Sequence, residues 1–70
     1  MSSVQSIIFN KNYWSLPQTK QWLRYHRFRP IKAMHETKNF YRYRVQNPSN
    51  FSRFITKKLP DNIELIIGYR

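Results

Sequence analysis

Hydrophobic and polar positions alternate most strictly over Asn39-Phe40-Tyr41-Arg42-Tyr43-Arg44-Val45, the period of two that marks a β-strand. Phe40, Arg42 and Arg44 fall on one face, Tyr41, Tyr43 and Val45 on the other. One face therefore presents two guanidinium forks while the opposite face packs on a core. Val4-Gln5-Ser6-Ile7-Ile8-Phe9 is mostly apolar, of strand length and rich in β-branched residues, and reads as a central strand covered on both sides. Met1 to Ser3 reads as a short frayed start, and Asn10-Lys11-Asn12 as a turn.

The period changes after Trp14. Ser15-Leu16-Pro17-Gln18 predicts a helix start: Ser15 can cap a free N–H and Gln18 can reach back to it. Pro17 sits in the first turn, where its missing donor costs nothing. The helix runs to about His26, with Thr19, Trp22, Leu23 and His26 on one side and Lys20, Arg24 and Arg27 on another. Pro30 ends the region, because its predecessor avoids helical geometry.

Ile31 to Glu36 is a second, weaker strand, folded by the polar turn Thr37-Lys38-Asn39 into a hairpin with the 40–45 strand. Gln46 to Asn50 is the clearest loop. Phe51 to Lys58 alternates as a strand, with room for a helical turn at its start that Ser49 or Asn50 could cap. Leu59 to Asn62 is a tight turn, and Ile63 to Ile67 an apolar strand ended by Gly68. The order β-α-β-β-β-β predicts one α+β domain over 1–70, a single helix on one face of a small, mostly antiparallel sheet of four to five strands.

Composition narrows the partners. In 70 residues, 13 Lys and Arg stand against three acids, a formal net charge of +10. A charge balance this basic points to a polyanion, nucleic acid first. No cysteine is present, so neither a disulfide nor a thiolate metal site can help a small core, a pattern that fits a reducing compartment. The core must come from two Trp, five Tyr and five Phe, or from self-association. There is no apolar run of bilayer length and no apolar stretch after a basic start, so the chain is expected to begin near Met1 and to act inside a cell or in a particle packaged there.

Three basic groups are candidates for phosphate contact. Arg42 and Arg44, two apart on a strand, place their side chains about 6.5–7 Å apart, close to the spacing of successive phosphates. Lys20, Arg24, Arg27, Arg29 and Lys32 form a second group on the helix and the loop after it. Lys57 and Lys58 are a third; being adjacent on a strand they point to opposite faces, so only one, Lys57, is carried forward. Tyr41 and Tyr43 are assigned to the core, as are Trp14 and Trp22, so no base-stacking platform is expected. His26 and His35 lack a third ligand for a metal, and His26 is read as a packed, hydrogen-bonded residue. No glycine-rich phosphate loop, catalytic triad or carboxylate pair is visible, so neither an enzyme nor a cofactor is expected.

Taken together, Ser3 to Phe9, Trp14, Trp22-Leu23, His26, Pro30-Ile31-Lys32, His35-Glu36-Thr37, Asn39, Arg42-Tyr43-Arg44, Pro48, Phe51, Phe54, Thr56 to Leu59 and Ile63 to Gly68 resemble a family of short uncharacterised proteins from nucleocytoplasmic large DNA viruses, with related segments in tailed-phage proteins. The resemblance implies a viral protein of the virion or infected cell, one that touches viral DNA. Many phage relatives carry Gly in the loop after the helix, where Arg27-Phe28-Arg29 stands here.

These readings converge on a viral protein that binds double-stranded DNA through its backbone, largely without sequence preference. It is expected in the virion and/or the infected host cell, in the nucleus or a cytoplasmic viral factory, and is not expected to be secreted. A homodimer is expected, covering the bare sheet face and doubling the charge on one ligand. The alternative is a structural module that docks onto an acidic viral or host protein. Membrane binding is disfavoured, because the helix has only a narrow apolar stripe, which its own core needs.

Overall fold

The computed structural model describes residues 2–70. Its elements are β1 (Ser2–Asn10), α1 (Leu16–Tyr25), β2 (His35–Glu36), β3 (Phe40–Arg44), β4 (Arg53–Leu59) and β5 (Ile63–Tyr69), with short 3-10 turns at Pro48–Asn50 and Pro60–Asn62. The five strands form one sheet in the order β2-β3-β1-β5-β4, every pair antiparallel. One helix on a five-stranded sheet is the α+β arrangement expected from the sequence.

β1 lies at the centre because it carries the most apolar run, and Ile7 and Phe9 are fully buried beneath the helix. Phe9 is a hub: its ring meets those of Trp14, Trp22 and Tyr43 edge-on at 5.1, 5.5 and 5.8 Å, each geometry worth about 0.5–1.5 kcal/mol beyond burial. Leu23, Tyr43 and Ile63 complete the core. Cover on the opposite face is partial: Ser6 is buried but Ile8 is only half-buried. β1 starts at Ser2, so Ser2 and Ser3, expected to fray, are strand residues, and Met1 lies outside the described residues.

The helix begins where its sequence dictates. Ser15 Oγ accepts from the Gln18 N–H and Gln18 Oε1 from the Ser15 N–H, a complete capping box. Thr19 is buried against β3: its hydroxyl donates to the Leu16 carbonyl at 2.7 Å and so accepts from the Tyr43 hydroxyl at 2.6 Å.

The helix ends earlier than Pro30 requires. Arg27 takes a left-handed conformation (φ 62°), its N–H donates to the Arg24 carbonyl and the Phe28 N–H to the Leu23 carbonyl, which is a Schellman end. His26, expected in the core, is exposed and lies against the Trp22 ring at 4.0 Å.

Two strand boundaries also differ from the pattern. The strand read over 31–36 is paired only at His35–Glu36. The weakly alternating stretch before it is irregular, held where the Ile31 N–H donates to the Arg44 carbonyl at 2.8 Å. Gly68 does not end β5 but lies buried within it, with the Phe51 ring where a side chain would stand: a Cβ there would fall 2.3 Å from Phe51 Cγ. The helical turn near 51 sits one step earlier, at Pro48–Asn50, capped by Asn47.

Candidate nucleic-acid interface

The sheet has two unlike faces. Tyr43 packs under the helix, so its neighbours on β3, Arg42 and Arg44, point to the open face. There Arg42 pairs with Ile8 and Arg44 with Ser6 across β1. The row through Arg44 continues to Ile66 on β5 and Thr56 on β4. Both arginines are half-buried, and the Nε of Arg42 is buried with no hydrogen-bond partner.

Acids do not neutralise them. Among the described residues the one ion pair joins Lys11 to Glu36, so neither arginine is bridged to a carboxylate. Glu64 lies in the Arg42 row but beyond Ile8.

Two clefts flank the arginine pair. The first, about 410 Å³, is lined by Lys32, Ala33, His35, Arg42 and Arg44. Two features assemble it: the β2–β3 register sets His35 opposite Arg42, and the Ile31–Arg44 backbone bond brings Lys32 alongside. Four basic side chains thus surround one cavity that, among the described residues, no carboxylate lines. Such a site suits a phosphate group, with the guanidinium forks supplying directional donors.

The second cleft, about 300 Å³, lies on the other side of the same arginines, lined also by Gln5, Pro48, Phe54, Thr56 and Ile66. Its floor is firm. Gln5 is the extra residue of a β-bulge between Val4 and Ser6. Its carbonyl accepts from Val45 and Gln46 N–H, its side-chain nitrogen donates to the Gln46 carbonyl and its side-chain oxygen accepts from Ser6.

The second basic group comes together around the helix. Lys20, Arg24 and Lys32 line a groove of about 510 Å³ between the helix and the 28–34 loop. Arg24, Arg27 and Arg29 surround Phe28 in a smaller depression. Lys32 belongs to both the sheet cleft and the helix groove, and Arg24 to both helix-side hollows. The first and second groups therefore form one basic track from the open face around the β2 edge.

Lys57 is not part of that track. It pairs with Leu65, which pairs with Ile7, and so stands on the helix side of β4 at the opposite edge. Lys58 shares the arginine face, but Glu64 and Ile8 lie between it and Arg42.

His35 and Phe54 were not picked out as binding residues. His35 was legible in principle: a turn at Lys38-Asn39 sets residue 35 opposite 42. Phe54 has no local signal, because its place beside Arg44 depends on the order of the sheet. Among the described residues no three His, Cys, Asp or Glu gather to hold a metal ion, and no helix is long and apolar enough to cross a membrane.

Fold and clefts define a small α+β protein with a cationic open sheet face. Compared with known protein families, curated proteins and solved structures, the chain matches none.

Proposed function

We propose that this protein binds nucleic acid through the phosphate backbone, without reading sequence, and that its partner is the DNA of a large DNA virus, in the virion or the infected cell. The observation that supports this most is the cleft of Lys32, His35, Arg42 and Arg44, four basic side chains around one cavity with no carboxylate in its wall. The half-buried arginines carry a preorganised charge on a strand, so little ordering is needed on binding. Lys20, Arg24, Arg27 and Arg29 extend the contact along the same backbone. No side chain here is set up to read base edges, so affinity comes from counterion release.

The test is a salt titration of duplex DNA binding. Log affinity should fall linearly and steeply with log salt, by about 0.9 for each phosphate contact. Replacing Arg42→Ala with Arg44→Ala should reduce the slope by about 2 while the domain stays folded. An unchanged slope in a folded double variant would move the site elsewhere. Absent DNA binding beside salt-insensitive capture of one acidic protein would favour the structural-module reading.

A further inference from the structure

We infer that the strand lying on the open sheet face is unpaired nucleic acid, with a base stacked on Phe54 while a phosphate two to three nucleotides along the same strand occupies the Lys32–His35–Arg42–Arg44 cleft. This rests on the phosphate-binding reading above and adds the form of the ligand.

Duplex and single strand offer the same phosphates; the second cleft is what separates them. A duplex stacks its bases face to face and shows only their edges in the grooves, which gives an aromatic side chain no base face to stack on. A single strand exposes base faces, and a sheet surface that combines arginines with an aromatic ring matches both of its parts. The open face has that combination. Phe54 lines the cleft beside Arg42 and Arg44 with Ile66 and Thr56, and the residue is 43% exposed.

The ring is also held in place. Phe51 meets Phe54 edge-on at 6.0 Å, and Phe51 is itself seated over Gly68. A stacking platform on a rigid strand loses little entropy when a base arrives. The distance is right as well: β3 and β4 are three strand spacings apart in the sheet order, or about 14 Å, room for two to three nucleotides. Tyr41 and Tyr43 have no part in this, since they face the helix side.

The test compares fluorescence anisotropy of a labelled oligothymidylate of about 10 nucleotides with that of a duplex of the same length. The wild type should bind the single strand more tightly. Phe54→Ala should weaken single-strand binding about 5- to 100-fold, leave duplex binding unchanged and keep the salt slope. Phe54→Tyr should restore binding. Should Phe54→Ala fold poorly, Phe54→Leu, which keeps apolar bulk without a ring face, should show the same loss. Tighter duplex binding, or a folded Phe54 variant with full single-strand affinity, would overturn the inference and leave the phosphate reading intact. Salt-independent or absent binding of both forms would overturn both.

Discussion

At Gly68 the sheet leaves no room for a side chain. The Phe51 ring fills the space that a Cβ would take, so Gly68→Ala forces aromatic ring or backbone to move. A loss of about 1–3 kcal/mol is expected, read by urea denaturation. Adding Phe51→Ala should make the alanine cost less than it does alone, because the two sites share one contact. A glycine weakens a strand pattern and so looks like its end, although it can equally mark a close approach; its partner, 17 positions away in the chain, carries no mark in the sequence. Arg27 is the converse case, a bulky residue in a left-handed conformation (φ 62°) that glycine adopts without strain. Arg27→Gly should raise stability by about 1 kcal/mol and lower the salt slope of DNA binding by up to about 0.9. A variant that loses stability would mean that the Arg27 side chain makes contacts worth more than the strain.

Among the elements, those specified by near neighbours were the most legible. The capping box, the hairpin turn after β2 and the alternation of β3 are each written within a few residues, and each stands where the pattern put it. Elements closed by backbone geometry were less so. The helix end depends on Arg27 entering the left-handed region, and the true extent of β2 on a single backbone bond from Ile31 to Arg44. Helix and sheet are joined by the buried Thr19–Tyr43 pair, and the two partners should differ in cost. Thr19→Val strands the Tyr43 hydroxyl in the core, costing about 1–3 kcal/mol, whereas Tyr43→Phe leaves Thr19 its bond to Leu16 and costs about 0.5–1.5 kcal/mol. Equal losses in thermal or urea unfolding would show that the Tyr43 hydroxyl has another partner.

For the whole molecule, the question is where the surplus charge lies. Lys20, Arg24, Arg27, Arg29, Lys32, Arg42 and Arg44, seven of the 13 basic residues, line connected clefts that run from the open face around the β2 edge to the helix. Others, including Arg53, Lys57 and Lys58, stand on the opposite edge strand. The arginine pair was legible because alternation fixes a face; the linkage through Lys32 and the misplacement of Lys57 were not, because both depend on strand order. The same order bears on self-association. A second copy on the open face would compete with nucleic acid, whereas the unpaired edge of β4, exposed along its length up to Leu59, offers backbone pairing that leaves the arginines free. Light scattering with and without oligonucleotide separates the two: a two-chain mass that oligonucleotide splits puts a second copy on the open face, and one that it leaves intact puts it on the β4 edge. The central claim, that one cationic face receives the polyanion, is tested most directly by following backbone amide resonances of nitrogen-15-labelled protein as oligonucleotide is added. The largest shifts should fall at Lys32 to His35 and Arg42 to Arg44, with β4 affected near Phe54. Shifts confined to the helix side of β4, around Lys57, or spread evenly over the chain would contradict the account.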